Sequence, residues 1–274
     1  MIKTPHLIYG TAWKEEATEE LVLSAIKTGY RNFDTANQRR HYVEIAVGDA
    51  LSEAYKNGME REEFFLQTKY TFPAGQDERL PYDLNADYDV QVRQSFESSL
   101  EHLQTTFVDS YLLHGPSQRF GLDESDLMVW AEMESIFKDG LTRSLGVSNV
   151  NIEQLKLLYE ESKIKPTFVQ NRCFAQMGWD WEVRKFCREN EILYQGFSLL
   201  TANHFVLTTL KEISERINKT PAQIIFRFAI YIGIVPLTGT TNMLHMEEDI
   251  SLDFELENSE IDFIEKVGIE FRQR

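Results

Sequence analysis

Short apolar runs alternate along the chain with longer segments of mixed apolar and charged residues. The longer segments carry apolar residues at helical spacing, whereas the short runs are rich in β-branched and aromatic residues, as buried strands are. The eight strand-like runs are LIYG, RNFDT, FFLQTK, VDSYLLH, RSLGVS, TFVQN, ILYQGFS and GIVPLT. This alternation predicts a parallel sheet with crossover helices.

Two of the helical segments have recognisable ends. Thr18 is expected to cap a helix that ends at Gly29, and Thr220 and Gln223 form a capping box with a proline between them. No linker rich in glycine, serine or proline divides the chain. The predicted fold is therefore α/β, a single-domain (β/α)8 TIM barrel over residues 1–274.

Three ionisable residues, Asp34, Lys69 and His114, each close one of the apolar runs. The carboxyl ends of the strands share one face of such a barrel, and active sites are built there. Taken singly, Asp34 could cap a turn, Lys69 could reach solvent and His114 could be an ordinary loop histidine. Because a buried strand gains nothing from such a group without a partner or a function, the three together indicate a composite catalytic site.

The composition narrows the partners and the compartment. A net charge of -16 repels phosphate backbones and anionic lipid, so neither nucleic acid nor a membrane is an expected partner. The two cysteines are not a disulfide framework, and the N-terminus has no apolar core of signal-peptide length. We expect a cytoplasmic protein, and the oligomeric state is left open.

The connection after Lys69, residues 70–89, is unusually long for a compact domain. It carries four aromatic residues, Tyr70, Phe72, Tyr82 and Tyr88. They could wall a pocket for a partly apolar ligand, or the segment could be a surface excursion.

At GYRNFDTANQRRHYVEIAVGDAL the chain begins to resemble the aldo-keto reductases. The matching positions are Asp34, Thr35, Ala36, Glu44, Val47 and Gly48. The resemblance continues through REEFFLQTK, VDSYLLHGP, GLTRSLGVSNVNIEQLKLL, FVQN, FSLL and TPAQIIFRFAI. Each motif alone is weak, but together they cover nearly the whole chain in order, which is specific.

The resemblance implies a catalytic tetrad, three of whose members are Asp34, Lys69 and His114. The fourth should be a tyrosine, but the interval from Asp34 to Glu44 is longer than in the family. Counting back from Glu44 reaches His41, and Tyr42 stands next to it. A two-residue insertion in this loop would let Tyr42 reach the family position, so we expect Tyr42 to be the fourth member, with His41 as the alternative.

The implied activity is the NAD(P)H-dependent reduction of aldehydes or ketones to alcohols. A phenol has a pKa of about 10 and is a reluctant acid unless a nearby cation favours the phenolate. Lys69 would supply that cation, Asp34 would pair with it, and His114 would orient the carbonyl oxygen. Tyr42 would then donate the proton, and no metal is required.

The resemblance also implies a cofactor site for NADPH, with NADH plausible. Ser148, Asn149 and Gln170 match positions that bind the nicotinamide carboxamide, and Phe197 matches the aromatic residue that stacks on the ring. The other expected cofactor contacts are Gly10, Thr11, Ser198, Leu199, Thr238, Gly239, Thr240, His245, Glu248 and Asp249. The chain has no Gly-x-Gly-x-x-Gly motif, which argues against a Rossmann dehydrogenase.

Two substitutions predict a weak preference for NADPH. Leu237 stands where many members have a lysine for the 2′-phosphate, and His245 stands at the position of an arginine. A neutral imidazole cannot replace a guanidinium on a phosphate dianion, so both cofactors should work. Trp13 and Tyr70 would line the substrate pocket, for which aromatic or medium-sized aliphatic aldehydes are expected.

Two other functions remain open. The irregular spacing of Tyr42 would also suit a cofactor-binding regulatory protein or sensor with vestigial catalysis. An unrelated barrel lyase or isomerase with Lys69 as a Schiff base would need that lysine without a carboxylate partner, and Asp34 argues against it.

Overall fold

The computed structural model describes residues 5–272, in which eight parallel strands close into one barrel. The strands are β1 (Ile8–Gly10), β2 (Asn32–Asp34), β3 (Phe65–Tyr70), β4 (Ser110–Leu113), β5 (Leu145–Ser148), β6 (Phe168–Arg172), β7 (Leu193–Phe197) and β8 (Ile234–Thr238). Each strand pairs with the next one, and β8 pairs with β1 to close the barrel. All eight predicted strands and the predicted fold class are confirmed.

Helices follow the strands and cover the outside of the barrel. They are α1 (Thr18–Thr28), α2 (Glu44–Lys56), α3 (Tyr88–His102), α4 (Glu124–Lys138), α5 (Ile152–Glu161), α6 (Trp181–Glu189), α7 (His204–Leu207), α8 (Lys211–Ile217), α9 (Pro221–Tyr231), α10 (Met243–Ile250) and α11 (Asn258–Arg272). The first six strands are each followed by one helix, and three helices separate β7 from β8.

The predicted helix ends are confirmed in part. Gly29 ends α1 in the left-handed conformation, with φ of 108°, and Thr220 caps α9 in a capping box with Gln223. Thr18 does not cap α1, because the helix begins one residue earlier than a cap would allow and Ala17 takes that position. The Thr18 hydroxyl donates instead to the carbonyl of Glu15, 2.7 Å away in the turn before the helix.

The barrel interior changes character from the amino to the carboxyl ends of the strands. An apolar cluster in the interior comprises Ile8, Phe65, Phe168, Val235 and Leu237, and all of these except Leu237 lie in the first half of their strands. Inward-facing positions two residues later in three strands are glutamines, Gln67, Gln170 and Gln195, joined by hydrogen bonds of 2.8–2.9 Å. The polar layer therefore lies directly beneath the face where an active site is expected.

Two further observations bear on the sequence analysis. Cys173 and Cys187 are both buried and free, which agrees with the absence of a disulfide framework. No helix within residues 5–272 is long and apolar enough to cross a membrane.

Candidate active site

A buried ion pair lies at the carboxyl ends of β2 and β3. Lys69 is fully buried, and its Nζ lies 2.7 Å from each carboxylate oxygen of Asp34 and 2.7 Å from the carbonyl oxygen of Thr35. These three oxygens match the three N–H groups of an ammonium and so favour the charged form of the lysine. Two glutamines of the polar layer, Gln67 and Gln170, donate to the same Asp34 oxygen, at 2.7 and 2.9 Å.

The lengthened loop between β2 and α2 carries Tyr42 to this ion pair. The Tyr42 ring centroid is 5.2 Å from Lys69 Nζ, and its ring meets that of His114 edge to face with centroids 5.9 Å apart. His41 turns to the wall of the site instead, where its ring lies 3.9 Å from that of Trp13. The structure thus places Tyr42, and not His41, beside the lysine and the histidine.

The protonation tendencies of these groups follow from their burial. Burial, and then the Asp34 carboxylate, raises the pKa of Tyr42 above 10, so the phenol holds its proton at neutral pH. Burial lowers the pKa of Lys69, and Asp34 opposes that shift. Burial, followed by the charges of Lys69 and His41, lowers the pKa of His114 well below 6.5. His114 is therefore a neutral imidazole in the resting site.

A cavity of about 810 Å³ opens above these residues and extends across the carboxyl-terminal face to α10. Asp34, Tyr42 and His114 lie at one end of it, and His245 and Glu248 lie at the other. The other predicted site residues that line it are Gly10, Trp13, Ser148, Asn149, Gln170, Phe197, Ser198, Leu199, Thr238, Gly239, Thr240 and Asp249. Lys69 does not line the cavity itself, but it pairs with Asp34, which does.

The side chains of the three residues expected to bind a carboxamide are held by hydrogen bonds to neighbouring residues. Ser148 Oγ donates to the carbonyl of Gln170 at 2.6 Å, and Asn149 Nδ2 donates to the carbonyl of His114 at 2.7 Å. Gln170 Nε2 is taken by Asp34 and by Gln195. The donors of these side chains are thus committed to the protein, which leaves the side-chain amide oxygens of Asn149 and Gln170 as acceptors for a ligand.

At the other end of the cavity, the hydroxyl of one expected cofactor contact is already hydrogen-bonded within the protein. Thr238 Oγ1 donates to Asp249 Oδ2 at 2.6 Å. Burial raises the pKa of Asp249 to about 6, although the Thr238 hydroxyl acts in the opposite direction. His245 lies exposed in the first turn of α10, next to Glu248.

Two of the predicted contacts do not line the cavity. Tyr70 is fully buried, with its hydroxyl directed to Gln91, and it does not line the cavity. Thr11 is also fully buried, and its hydroxyl donates to the carbonyl of Asp34 at 3.0 Å. Thr11 therefore stabilises the end of β2 through this hydrogen bond. Tyr70 belongs to the packing between the barrel and its helices.

The aromatic residues after Tyr70 do not wall the cavity either. Phe72 and Tyr82 are buried, and each ring lies within 5.7 Å of the Tyr70 ring, while Tyr88 contacts Phe72. The aromatic residues of the long connection thus form a small core of their own beside the site.

Sequence reasoning missed two cationic residues of the cavity. Lys14 lines it and donates to the carbonyl of Gly239, and burial lowers the pKa of Lys14 to about 8. Arg172 also lines it, with its guanidinium 5.6 Å from the centroid of the Phe197 ring. Strand alternation could have found Arg172, because it lies two residues after Gln170 and so faces the same side.

The chain is similar to known proteins over nearly its full length. The model of the Aldo/keto reductase family matches residues 6–269. A glyoxal reductase of Bacillus subtilis (strain 168) is 31% identical over 255 residues, covering 92% of this chain and 84% of the relative.

Solved structures agree with this likeness. An aldo/keto reductase from Brucella melitensis is 29% identical with a TM-score of 0.81, covering 96% of this chain and 95% of that one. An aldo-keto reductase of Bombyx mori in complex with NADP is 26% identical with a TM-score of 0.79, covering 96% and 89%.

Proposed function

Because the chain belongs to the aldo-keto reductase family, we propose that its cavity binds NADPH and reduces an aldehyde or ketone to the alcohol, with Tyr42 as the proton donor. The observation that carries the proposal is the buried Asp34–Lys69 pair directly beside the Tyr42 ring. A buried ammonium is costly, and this one is held by three oxygens next to a phenol at the floor of a cavity.

The residues present fit a nicotinamide dinucleotide. The amide oxygens of Asn149 and Gln170 can accept hydrogen bonds from a carboxamide, and the Phe197 ring offers a face for stacking. The elongated cavity reaches from these residues to α10, and Lys14 contributes an ammonium to its wall beside Gly239. The chemistry that the reduced nicotinamide supplies when bound is a hydride for the carbonyl carbon.

The side chains around Tyr42 make proton donation possible. Negative charge develops on the carbonyl oxygen during reduction, and the Tyr42 hydroxyl neutralises it by giving up its proton. Lys69 lies 5.2 Å from the phenol ring and stabilises the phenolate that is left. His114, which is neutral, donates a hydrogen bond to the same oxygen and orients the carbonyl.

The substrate side of the cavity is formed by Trp13 and His41 and not by Tyr70. Trp13 is 69% exposed and stacks on His41, so the pair presents an aromatic surface above Tyr42. We therefore propose aromatic or medium-sized aliphatic aldehydes as substrates. A reducing cytoplasm remains the expected location.

The test is NADPH oxidation with a panel of aldehydes, run beside a direct titration of cofactor binding. We expect saturable turnover with at least the aromatic aldehydes and binding of NADPH in their absence. Binding without turnover on any carbonyl compound would contradict the proposal and favour a regulatory protein.

A further inference from the structure

The imidazole of His114 has a side-chain partner that is not part of the cavity lining. Thr71, two residues after Lys69, places its Oγ1 2.7 Å from His114 Nδ1. Thr71 is buried, whereas His114 lines the cavity. The hydroxyl therefore contacts one ring nitrogen and leaves the other, Nε2, for a ligand.

A neutral imidazole carries its single N–H on either Nδ1 or Nε2, and only one of the two forms can assist reduction. With the proton on Nε2, His114 donates to a carbonyl oxygen in the cavity. With the proton on Nδ1, Nε2 carries a lone pair that repels the carbonyl oxygen. Burial, and then the charges of Lys69 and His41, lower the pKa of His114, so protonation of both nitrogens is disfavoured and the choice of tautomer decides the role of the ring.

The surroundings of Thr71 favour donation from its hydroxyl to Nδ1. Within residues 5–272, His114 Nδ1 is the hydrogen-bond partner of Thr71 Oγ1. A buried hydroxyl that has no acceptor for its proton is costly. If Oγ1 instead accepted a hydrogen bond from Nδ1–H, its own O–H would be left without that acceptor. Donation to Nδ1 leaves the imidazole proton on Nε2.

The position of Thr71 is fixed on several sides. Its carbonyl accepts a hydrogen bond of 2.7 Å from the Tyr82 hydroxyl, within the aromatic core described above. A Cβ at Gly75 would lie 2.7 Å from Thr71 Cγ2, so the absence of a side chain at Gly75 leaves room for this rotamer. The His114 backbone is held as well, by Tyr70 at its N–H and by Asn149 at its carbonyl.

We propose that Thr71 is a positioning residue that fixes His114 as the Nε2–H tautomer and so supplies the hydrogen-bond donor for the substrate carbonyl. The proposal rests on the proposed carbonyl reduction for its purpose. The tautomer itself is a property of the protein that can be measured without turnover.

The first experiment reads the tautomer by 15N NMR of protein labelled at the histidine ring nitrogens, with a His114→Gln spectrum to assign the signals. We expect wild-type His114 to be protonated at Nε2 near neutral pH, and Thr71→Val to shift the population toward the Nδ1–H form. A wild-type ring protonated at Nδ1 would overturn the proposal, whatever the variant does.

The second experiment compares Thr71→Val and Thr71→Ser in aldehyde reduction. Valine keeps the shape and removes the donor, so kcat/KM should fall about tenfold or more while the Kd for NADPH is unchanged. Serine keeps the donor and should recover most of the activity. Equal losses in both variants, or none in Thr71→Val, would contradict the proposal.

Thr142→Val is the matched control, because Thr142 is also buried and its hydroxyl donates to the carbonyl of Ser144 away from the cavity. We expect this variant to keep wild-type kcat/KM. If wild-type protein reduces no carbonyl compound, the proposed function fails, and the NMR result still decides the role of Thr71.

Discussion

The position of Lys69 is set by its hydrogen bonds. Because it lies beside Tyr42, we expect its protonation to control the pH dependence of the reaction. Burial lowers its pKa from the ordinary 10.5, whereas Asp34 opposes that change. His114 has a pKa well below 6.5, so it does not gain a proton in the neutral range. Two lysines of the site titrate on the alkaline side, Lys14 in the cavity wall with a pKa lowered by burial to about 8 and Lys69, of which Lys69 is the one beside Tyr42.

We predict that kcat/KM for aldehyde reduction is nearly flat from about pH 6 to neutrality and falls at higher pH. Loss of the Lys69 proton removes the cation that stabilises the Tyr42 phenolate, and a lowered pKa brings this loss below pH 10.5. The measurement is a pH profile of kcat/KM in buffers of constant ionic strength. A protonation step near pH 6.5 that controls the rate would instead assign the profile to a histidine.

His245 should limit the selectivity for NADPH. It lies exposed at the end of the cavity, beside Glu248, and the nearby Thr238 hydroxyl already donates to Asp249. We predict that NADH also supports turnover and that His245→Arg lowers the Kd for NADPH about tenfold, or about 1.4 kcal/mol, because a guanidinium pairs with a phosphate dianion.

Titration of both cofactors against His245→Arg and the uncharged control His245→Gln checks this prediction. The Kd for NADH should not change in either variant. A wild type that favours NADPH by several orders of magnitude at pH 8 would show that another cation reaches the 2′-phosphate, and this interpretation would then be wrong.

Trp13 should set the affinity for the substrate. Its exposed ring lies against that of His41, with centroids 3.9 Å apart, and both residues line the cavity together with Tyr42. We predict that KM for aromatic aldehydes is high, about 1 mM or above, and that Trp13→Ala raises it further with a smaller change for short aliphatic aldehydes. Steady-state kinetics on paired aldehydes measures this, and tight use of one small sugar would contradict it.

At the scale of elements, the long connection between β3 and α3 supports the loop that carries Tyr42. Gln38 Nε2 donates to the carbonyl of Gly75 at 2.7 Å, and Gln76 Nε2 donates to the carbonyl of Asn37 at 2.8 Å. The same connection holds Thr71 through Tyr82. Its aromatic residues thus contribute to the site by fixing two neighbouring segments.

The contact between α2 and α3 gives a prediction whose sign separates packing from helix propensity. A Cβ at Gly48 would lie 1.9 Å from the carbonyl oxygen of His102 at the end of α3. Gly48→Ala should therefore lower the free energy of unfolding by about 1–3 kcal/mol, although propensity alone would raise it by about 1 kcal/mol.

Denaturant unfolding of Gly48→Ala and of Ser52→Ala, on the same helix, measures the two effects. Ser52→Ala should report the propensity gain with little change in packing. A stabilised Gly48→Ala variant would mean that the two helices can separate at low cost.

For the molecule as a whole, the periodicity of the sequence was sufficient to predict the barrel, because each strand is a short apolar run that ends in a turn. The strand-end residues Asp34, Lys69 and His114 could be found in the same way, since parallel strands bring their carboxyl ends together. The direction of Tyr70 was also available, because Lys69 faces inward and its neighbour in the strand must then face the helices.

Other features could not be predicted from one sequence. The hydroxyl of Thr238 is taken by Asp249 from another element, and Lys14 bends back to the carbonyl of Gly239. Such contacts depend on how loops and helices meet across the face of the barrel. The path of the lengthened loop before Tyr42 depends in the same way on its hydrogen bonds to the β3–α3 connection.

The central claim is that Tyr42 gives the proton. Turnover of an aromatic aldehyde by Tyr42→Phe, measured together with the Kd for NADPH and with His41→Ala as the control, tests it most directly. The account predicts a loss of turnover of about a hundredfold or more in Tyr42→Phe with cofactor affinity nearly unchanged, and a much smaller loss in His41→Ala. Near-normal turnover by Tyr42→Phe would contradict it.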